Sequence, residues 1–402
     1  MSGPRENIPT PKVPTPGMRV GLVVPGFSAD ADDWCIPALR HLARALATRD
    51  DLQVIAVRYP YRASRYTVDG ADVIAIGGAT RRGAGTLDVW RRTLDVLRTE
   101  HRRRAFDVLH AFWATESGLL TVIAGRLLRI PTVVSLAGGE LVALPEIDYG
   151  DQRVAWERLK VRASLRLASA VSAGSHHLLG LAAWHVPHER LHRAPLGVDL
   201  NLFRPGPARA EAAGAARCVA EARPPRLVHV ATLTPIKDQA TLLRAFAILR
   251  QRVANVTLDI VGDGPLRHDL ERLATELGVA QAVQFWGDID HAALPGVYRA
   301  GSAGVLSSRH EAQGMVAIEA AACGVPVVGT RVGVIPELAA SPDAIVPVGA
   351  ARALADALCA TLATQPDPRR RAHDMAARAR TEFGLDPCVA RFRALYAHVT
   401  GA

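Results

Sequence analysis

Residues 307–330 read SSRHEAQGMVAIEAAACGVPVVGT, and the reading of this stretch decides that of the whole chain. A loop carrying Glu311 leads to Gly314, an apolar helical segment carries Glu319, and Gly324 with Pro326 close it beside the β-type run Val325-Pro326-Val327-Val328. The start of a helix offers unpaired N–H groups and a partial positive charge. A glycine at that entry lets a diphosphate come up to Gln313, Gly314, Met315 and Val316. Carboxylates repel phosphate, so the two glutamates call for a different partner. Vicinal hydroxyls donate well to carboxylates, and a nucleotide sugar carries them on its ribose and on its hexose. Glu319, one turn inside the helix, is placed to take the ribose diol, while Glu311, ahead of the helix, faces the sugar.

Two glutamates at this spacing also describe an amphipathic helix with solvated carboxylates; the complete string is more specific. It resembles the donor-site signature of retaining glycosyltransferases of family four, the "group 1" enzymes, whose pattern runs approximately S-x-x-E-G-F-G-x-x-x-x-E-A-x-A-x-G-x-P-V-V. Ala312 and Gln313 stand where that pattern has a small residue and an aromatic, while both glutamates and the terminal Gly-x-Pro are kept. The resemblance implies an α/β protein of two Rossmann-like, doubly wound parallel-sheet domains facing a cleft, the GT-B fold. It extends over everything after residue 18, sharply over 226–337 and loosely before 195.

Composition is compatible with this reading. The chain has 402 residues, enough for two or three domains, and 49% hydrophobic residues, as an ordinary globular protein has. Its five cysteines, Cys35, Cys218, Cys323, Cys359 and Cys388, are scattered, with no C-x-x-C pair. This implies neither a metal cluster nor a disulfide framework, and fits a reducing cytoplasm. No apolar run approaches the length of a membrane span, and the first residues lack a signal-peptide core. The net charge of +9 would attract nucleic acid, anionic lipid or an anionic nucleotide donor. The arginines lie along helical stretches such as 90–104 and 156–166, without the aromatic interleaving of a nucleic-acid motif. Solvated helix faces come first, peripheral contact with the inner membrane face second, and no nucleic-acid partner is expected.

In chain order, 1–17 reads as a Pro-rich flexible tail and 18–195 as an acceptor-side domain of alternating strands and helices. Strands are expected at 19–24, 52–57, 72–76, 108–111, 132–136 and from 170, with helices at 33–48, 87–101, 118–128 and 153–167. A linker spans 196–225, a nucleotide-sugar domain 226–384, and a final helix, 385–402, crosses back to the first domain as the resemblance implies.

The resemblance also nominates site residues. Gly26, in the Pro25-Gly26 turn after the first strand, corresponds to a loop facing the donor phosphates; it reads equally well as a turn glycine. His110 corresponds to an acceptor-side histidine, and equally to a helix cap. The family's H-G-x-D is here Ala137-Gly138-Gly139-Glu140, which loses the histidine near the reacting centre and leaves Gly138, Gly139 and Glu140 as the acceptor-side loop. In TLTPIKDQATLLRAF, Lys237 matches the family's diphosphate-binding lysine, whereas Thr232 replaces its arginine and Asp238 its glycine. Gly262 belongs to the G-x-G-P loop, and Gly287 to the loop that meets the nucleobase.

The reaction so implied moves a hexose-type sugar from a nucleoside diphosphate, UDP by base rate, to an acceptor hydroxyl on a lipid, natural product or saccharide. Lys237 and the helix mouth stabilise the leaving diphosphate, Glu311 orients the hexose, and configuration is retained. No metal or other cofactor is expected; the strings Asp30 to Asp32 and Asp288 to Asp290 occur by chance, outside the fold context in which such strings bind metal. An epimerase would need acid and base carboxylates across the cleft, and a phosphorylase a much longer chain. Thr232 and Ala137 leave a non-catalytic nucleotide-sugar-binding relative as the alternative.

Overall fold

The expected apolar runs form strands. Val20, Leu22, Val23 and Val24 lie fully buried in β1 (Arg19–Gly26), as a central parallel strand covered on both faces requires. The computed structural model describes residues 17–79, 83–206, 224–339, 341–363 and 368–402, so nearly all of the expected tail and most of the expected linker lie outside the described residues. The chain separates into two units, one comprising the residues up to Gly197 together with Leu385–Ala402, the other Val198–Gly384.

The first unit continues with α1 (Pro37–Ala47), β2 (Asp51–Tyr59), β3 (Ser64–Val68), β4 (Ala71–Ala75), α2 (Ala84–Arg103), β5 (Val108–Phe112), α3 (Glu116–Leu128) and β6 (Thr132–Leu136). It is completed by α4 (Ala155–Leu167), β7 (Ala170–Ala173), α5 (His176–Ala182) and β8 (Leu191–Arg193). Its sheet runs β3-β4-β2-β1-β5-β6-β7-β8, parallel except for β3 against β4. The β3 edge strand, SRYTV, was not expected, because it is mostly polar and exposed. Its one local signal is the tight turn at Asp69-Gly70, where both residues have positive φ, 50° and 82°.

The second unit contains β9 (Arg226–Val230), α6 (Gln239–Arg250), β10 (Thr257–Val261), α7 (Arg267–Glu276), β11 (Val283–Gly287), α8 (Leu294–Ala300), β12 (Ala303–Leu306) and α9 (Met315–Ala322). After these come β13 (Val327–Thr330), α10 (Ile335–Leu338), β14 (Ile345–Val346), α11 (Ala351–Ala363) and α12 (Pro368–Phe383). Every strand pair is parallel, in the order β11-β10-β9-β12-β13-β14. Successive connections therefore run outward on one side of β9 and then on the other, which is the doubly wound order with its reversal between β9 and β12. Ligands of open α/β sheets bind beyond the carboxyl ends of the strands at such a reversal.

The last helix, α13 (Leu385–Thr400), packs on the first unit. Val389, Phe392, Leu395 and Tyr396 share a buried cluster with Leu22, Val24, Phe112 and Val133. Burying each such side chain contributes roughly 1.5–3 kcal/mol, so α13 completes, beside α1, the cover over one face of the sheet.

Candidate functional site

The loop after β9 and the loop after β12 flank the reversal point, and side chains stitch them together. Lys237 ends a short turn, Pro235–Lys237, and Asp238, with φ 48°, caps α6 by accepting from Thr241 N and Oγ1. Ser307 Oγ donates to the Lys237 carbonyl at 2.8 Å, and Arg309 N donates to the Ile236 carbonyl at 2.8 Å. Between these ties the Lys237 ammonium meets the Glu311 carboxylate, Nζ to Oε1, at 2.5 Å. Ser308 Oγ donates to the same oxygen at 2.7 Å. The residue expected to neutralise the leaving group and the residue expected to orient the hexose are thus neighbours at the mouth of one sheet.

Gly314, with φ 90°, is the N-cap of α9, so the helix begins where the sequence places it. Gln313 is buried and its carbonyl accepts from Val334 N at 2.8 Å, which fixes the loop against Gly333. A side chain at Gly333, itself at φ 54°, would collide with the Gln313 carbonyl. Met315 and Val316 form the first turn of α9 and are half-buried. The first N–H groups of any helix lack intrahelical acceptors and favour an anion.

Glu319 sits one turn further along α9, and its side chain is largely enclosed. Tyr298 on α8 donates to its Oε2 at 2.9 Å, and His291 Nε2 lies 3.8 Å from its Oε1. The His291 ring in turn meets Phe203 edge-on. Gly262 N donates to the Gly287 carbonyl at 2.8 Å, joining the ends of β10 and β11. Thr232 is exposed, and its carbonyl accepts from Gln239 Nε2 at 2.9 Å. Among the expected donor residues, Lys237, Glu311, Gln313, Gly314, Met315 and Val316 thus belong to or adjoin the stitched loops. Two participants gave little sequence signal. Ser307 lies inside the quoted stretch as one more small residue, and Tyr298 reads as one more apolar helix position, whereas Ser308 stands at the serine of the S-x-x-E pattern.

The first unit corrects several assignments. His110 lies within β5 and is 0% exposed. Its Nδ1 hydrogen-bonds Tyr396 Oη and its Nε2 hydrogen-bonds Ser135 Oγ, both at 2.7 Å. The strand alternation turns this side chain toward α13, so it neither faces an acceptor nor caps a helix. Burial pushes its pKa down to about 3, so the ring is neutral.

Glu140 is likewise fully buried and does not reach out as an acceptor-side group. Its Oε1 accepts from Ala137 N at 3.0 Å and Ala114 N at 3.4 Å, its Oε2 from Gly138 N at 2.6 Å. The carboxyl folds its own loop, and burial pushes its pKa up. Gly138 and Gly139 are half-buried, and side chains there would press on the Trp113 indole and the Tyr149 ring. Gly26 is the last residue of β1 and is buried against Tyr59 and Cys35, packed as a strand-end glycine.

Among the described residues, no group of three or more His, Cys, Asp or Glu side chains converges as a metal-ligand set would. Asp30 and Asp290 each accept a backbone N–H two residues on, from Asp32 and Ala292, as turn residues do.

Two family models match the chain, "Glycosyl transferases group 1" over residues 224–364 and "Glycosyl transferase 4-like domain" over 36–197. The chain is 32% identical over 298 residues to a D-inositol 3-phosphate glycosyltransferase of Frankia alni, covering 69% of this chain and 67% of that protein. It is 39% identical over 158 residues to a GDP-mannose-dependent alpha-(1-6)-phosphatidylinositol monomannoside mannosyltransferase of Mycolicibacterium smegmatis, covering 38% of this chain and 41% of the relative. Among solved structures it superposes on sucrose-phosphate synthase of Thermosynechococcus elongatus with a TM-score of 0.72 and 20% identity, over 95% of this chain and 99% of that one. Anabaena HepE, solved with UDP and glucose, also gives 0.72 and 20%, over 94% and 99%. Two parallel-sheet units in one chain, the match of each half to a family model and the similarity to these relatives lead to one conclusion: the chain belongs to the group 1, family four glycosyltransferases and has the GT-B fold.

Proposed function

We propose that this protein transfers a hexose-type sugar from a nucleoside-diphosphate sugar, with UDP as the nucleotide, to an acceptor hydroxyl with retention of configuration. The observation that carries the reading is the Lys237–Glu311 pair beside the N-terminus of α9, at the reversal point of the second unit's sheet. An arriving diphosphate would take the Lys237 ammonium in exchange for Glu311, and the freed carboxylate would then accept from hexose hydroxyls. As the bond to the anomeric carbon breaks, negative charge grows on the diphosphate where Lys237 and the α9 N–H groups are already aimed. Arginine is absent at 232, so Lys237 carries this role, and the Thr232 hydroxyl is left as a hydrogen-bond donor. The names of the Frankia and Mycolicibacterium relatives favour a polyol or a polyol-bearing lipid as acceptor. No relative named above supports a purely binding role.

The test is a melting panel of UDP-, GDP- and ADP-sugars, followed by incubation with EDTA present throughout. At a hundredfold excess over its dissociation constant the true donor stabilises by about 2.7 kcal/mol, which for a unit of this size is about 5–10 °C. Slow release of nucleoside diphosphate in EDTA, without acceptor, marks a metal-independent transferase; a shift with no release marks a binding protein. Transfer to an acceptor that leaves the anomeric configuration of the donor sugar unchanged establishes retention.

The same reading places the enzyme in the cytoplasm, at the inner face of a membrane. No helix among the described residues is long and apolar enough to cross a bilayer. On α4, however, Trp156 is 53% exposed, and Leu159, Arg158, Arg162 and Arg166 line one groove with Trp184, which is 88% exposed. Exposed tryptophan beside arginine suits an anionic interface. Cosedimentation with phosphatidylglycerol vesicles, but not with pure phosphatidylcholine vesicles, is expected, with R158E/R162E/R166E abolishing it; equal pelleting of variant and parent contradicts this placement.

A further inference from the structure

We propose that Tyr298 is a positioning residue for donor recognition, holding the Glu319 carboxylate in the one orientation that accepts a ribose diol. This rests on the reading of Glu319 as the ribose-binding carboxylate. A glutamate side chain in solution turns freely about its last bond, and a diol donating two hydrogen bonds needs both oxygens in a set plane. Glu319 is only 8% exposed, so bulk water does little to orient it. One lone pair of Oε2 is taken by the Tyr298 hydroxyl at 2.9 Å, which fixes the carboxylate plane and leaves the other lone pair of Oε2, together with Oε1, to accept from ligand hydroxyls. Tyr298 is itself 2% exposed, and its ring packs near Phe203 at 6.2 Å between centroids. The ring therefore cannot swing away, and burial together with the nearby Glu319 charge keeps the hydroxyl protonated as a donor. His291 Nε2 lies 3.8 Å from Oε1, and its ring meets Phe203 edge-on.

A tyrosine that merely glued α8 to α9 would affect all ligands alike. The two roles separate in the preference for ribose over a sugar lacking its hydroxyls. Binding of UDP and GDP, and of their 2′,3′-dideoxy counterparts, is measured by titration calorimetry for the full chain and for Tyr298→Phe and Glu319→Gln. The phenylalanine variant keeps the ring contacts and removes only the hydroxyl. For the better-bound base, Tyr298→Phe is expected to weaken the ribonucleotide about three- to tenfold and to leave the dideoxynucleotide unchanged, so that the ratio between them collapses toward that of Glu319→Gln. A ratio that falls in Glu319→Gln and stays at the parent value in Tyr298→Phe overturns the role of Tyr298 alone. A ratio unchanged in both variants overturns the ribose assignment of Glu319 and the inference with it.

Discussion

Lys237→Ala is expected to lower turnover about 10²- to 10³-fold, the usual cost of removing one preorganised group aimed at growing negative charge. Affinity for the nucleotide sugar should fall by a smaller factor, because the α9 N–H groups still face the diphosphate in the ground state. Lys237 is the sole cation matching the family's pair of arginine and lysine, since position 232 is threonine. No neighbouring residue of that motif shares the load. The deletion also removes one partner of Glu311, whose Oε1 would, among the described residues, keep the Ser308 hydroxyl. A freed carboxylate next to the incoming diphosphate adds repulsion to the loss of attraction. Lys237→Arg keeps the charge at a shifted position and should retain intermediate turnover. Steady-state kinetics at saturating donor, read beside the donor-induced melting shift, separate the two effects. A loss of affinity with turnover unchanged at saturating donor would place Lys237 in ground-state binding only.

The second large effect is the response of the first unit to acid. His110 is neutral in the fold because burial holds its pKa near 3, whereas an unfolded chain protonates it around 6.5. Above pH 6.5 both states are neutral there and the contribution of this residue is complete. As the pH falls from 6.5 toward 3 the unfolded state alone takes up the proton, so stability is lost through this window. At pH 5 the loss from this one residue is about 2 kcal/mol. His192 and His229, each pushed down to about 4 chiefly by burial, add to the decline of the parent chain. The difference between parent and His110→Gln therefore isolates this site. The variant should be weaker at pH 7, because an amide fits poorly between Ser135 and Tyr396, yet its urea midpoint should fall less between pH 7 and pH 5. Parallel midpoint curves for the two proteins would show that His110 takes up its proton in the folded chain.

What the sequence discloses follows from the range of each interaction. Fully buried parallel strands such as β1 and β5 announce themselves as apolar runs, and the entry to α9 announces itself through Gly314, because these are local facts. The polar β3 edge has no such run and is visible only after β4 is placed beside it. The surroundings of His110 and Glu140 are illegible in the sequence for a different reason. Each is a polar residue at a motif position, and what decides its role is a partner far along the chain or a backbone shape formed only on folding. For His110 that partner is Tyr396, 286 positions away. For Glu140 it is three backbone N–H groups that converge only once the loop has closed. The Tyr298 hydroxyl on Glu319 is hidden in the same way, since the hydrophobic spacing of α8 explains that tyrosine without its oxygen. Lys237 and Glu311 could each be named from motifs, but their meeting at 2.5 Å could not.

The helix α13 has a consequence for biogenesis. The second unit is one uninterrupted run of chain, Val198–Gly384, while the first is divided around it. On the ribosome the early sheet, covered in part by Leu39, Leu42 and Leu46 of α1, must wait with Phe112 and Val133 open on the same face until Phe392 and Tyr396 have been synthesised and have left the exit tunnel. During that interval the later-made unit can finish folding first, and a nascent chain stalled short of residue 385 would carry a sticky sheet that recruits chaperones. Order of manufacture and order of completion are thereby reversed.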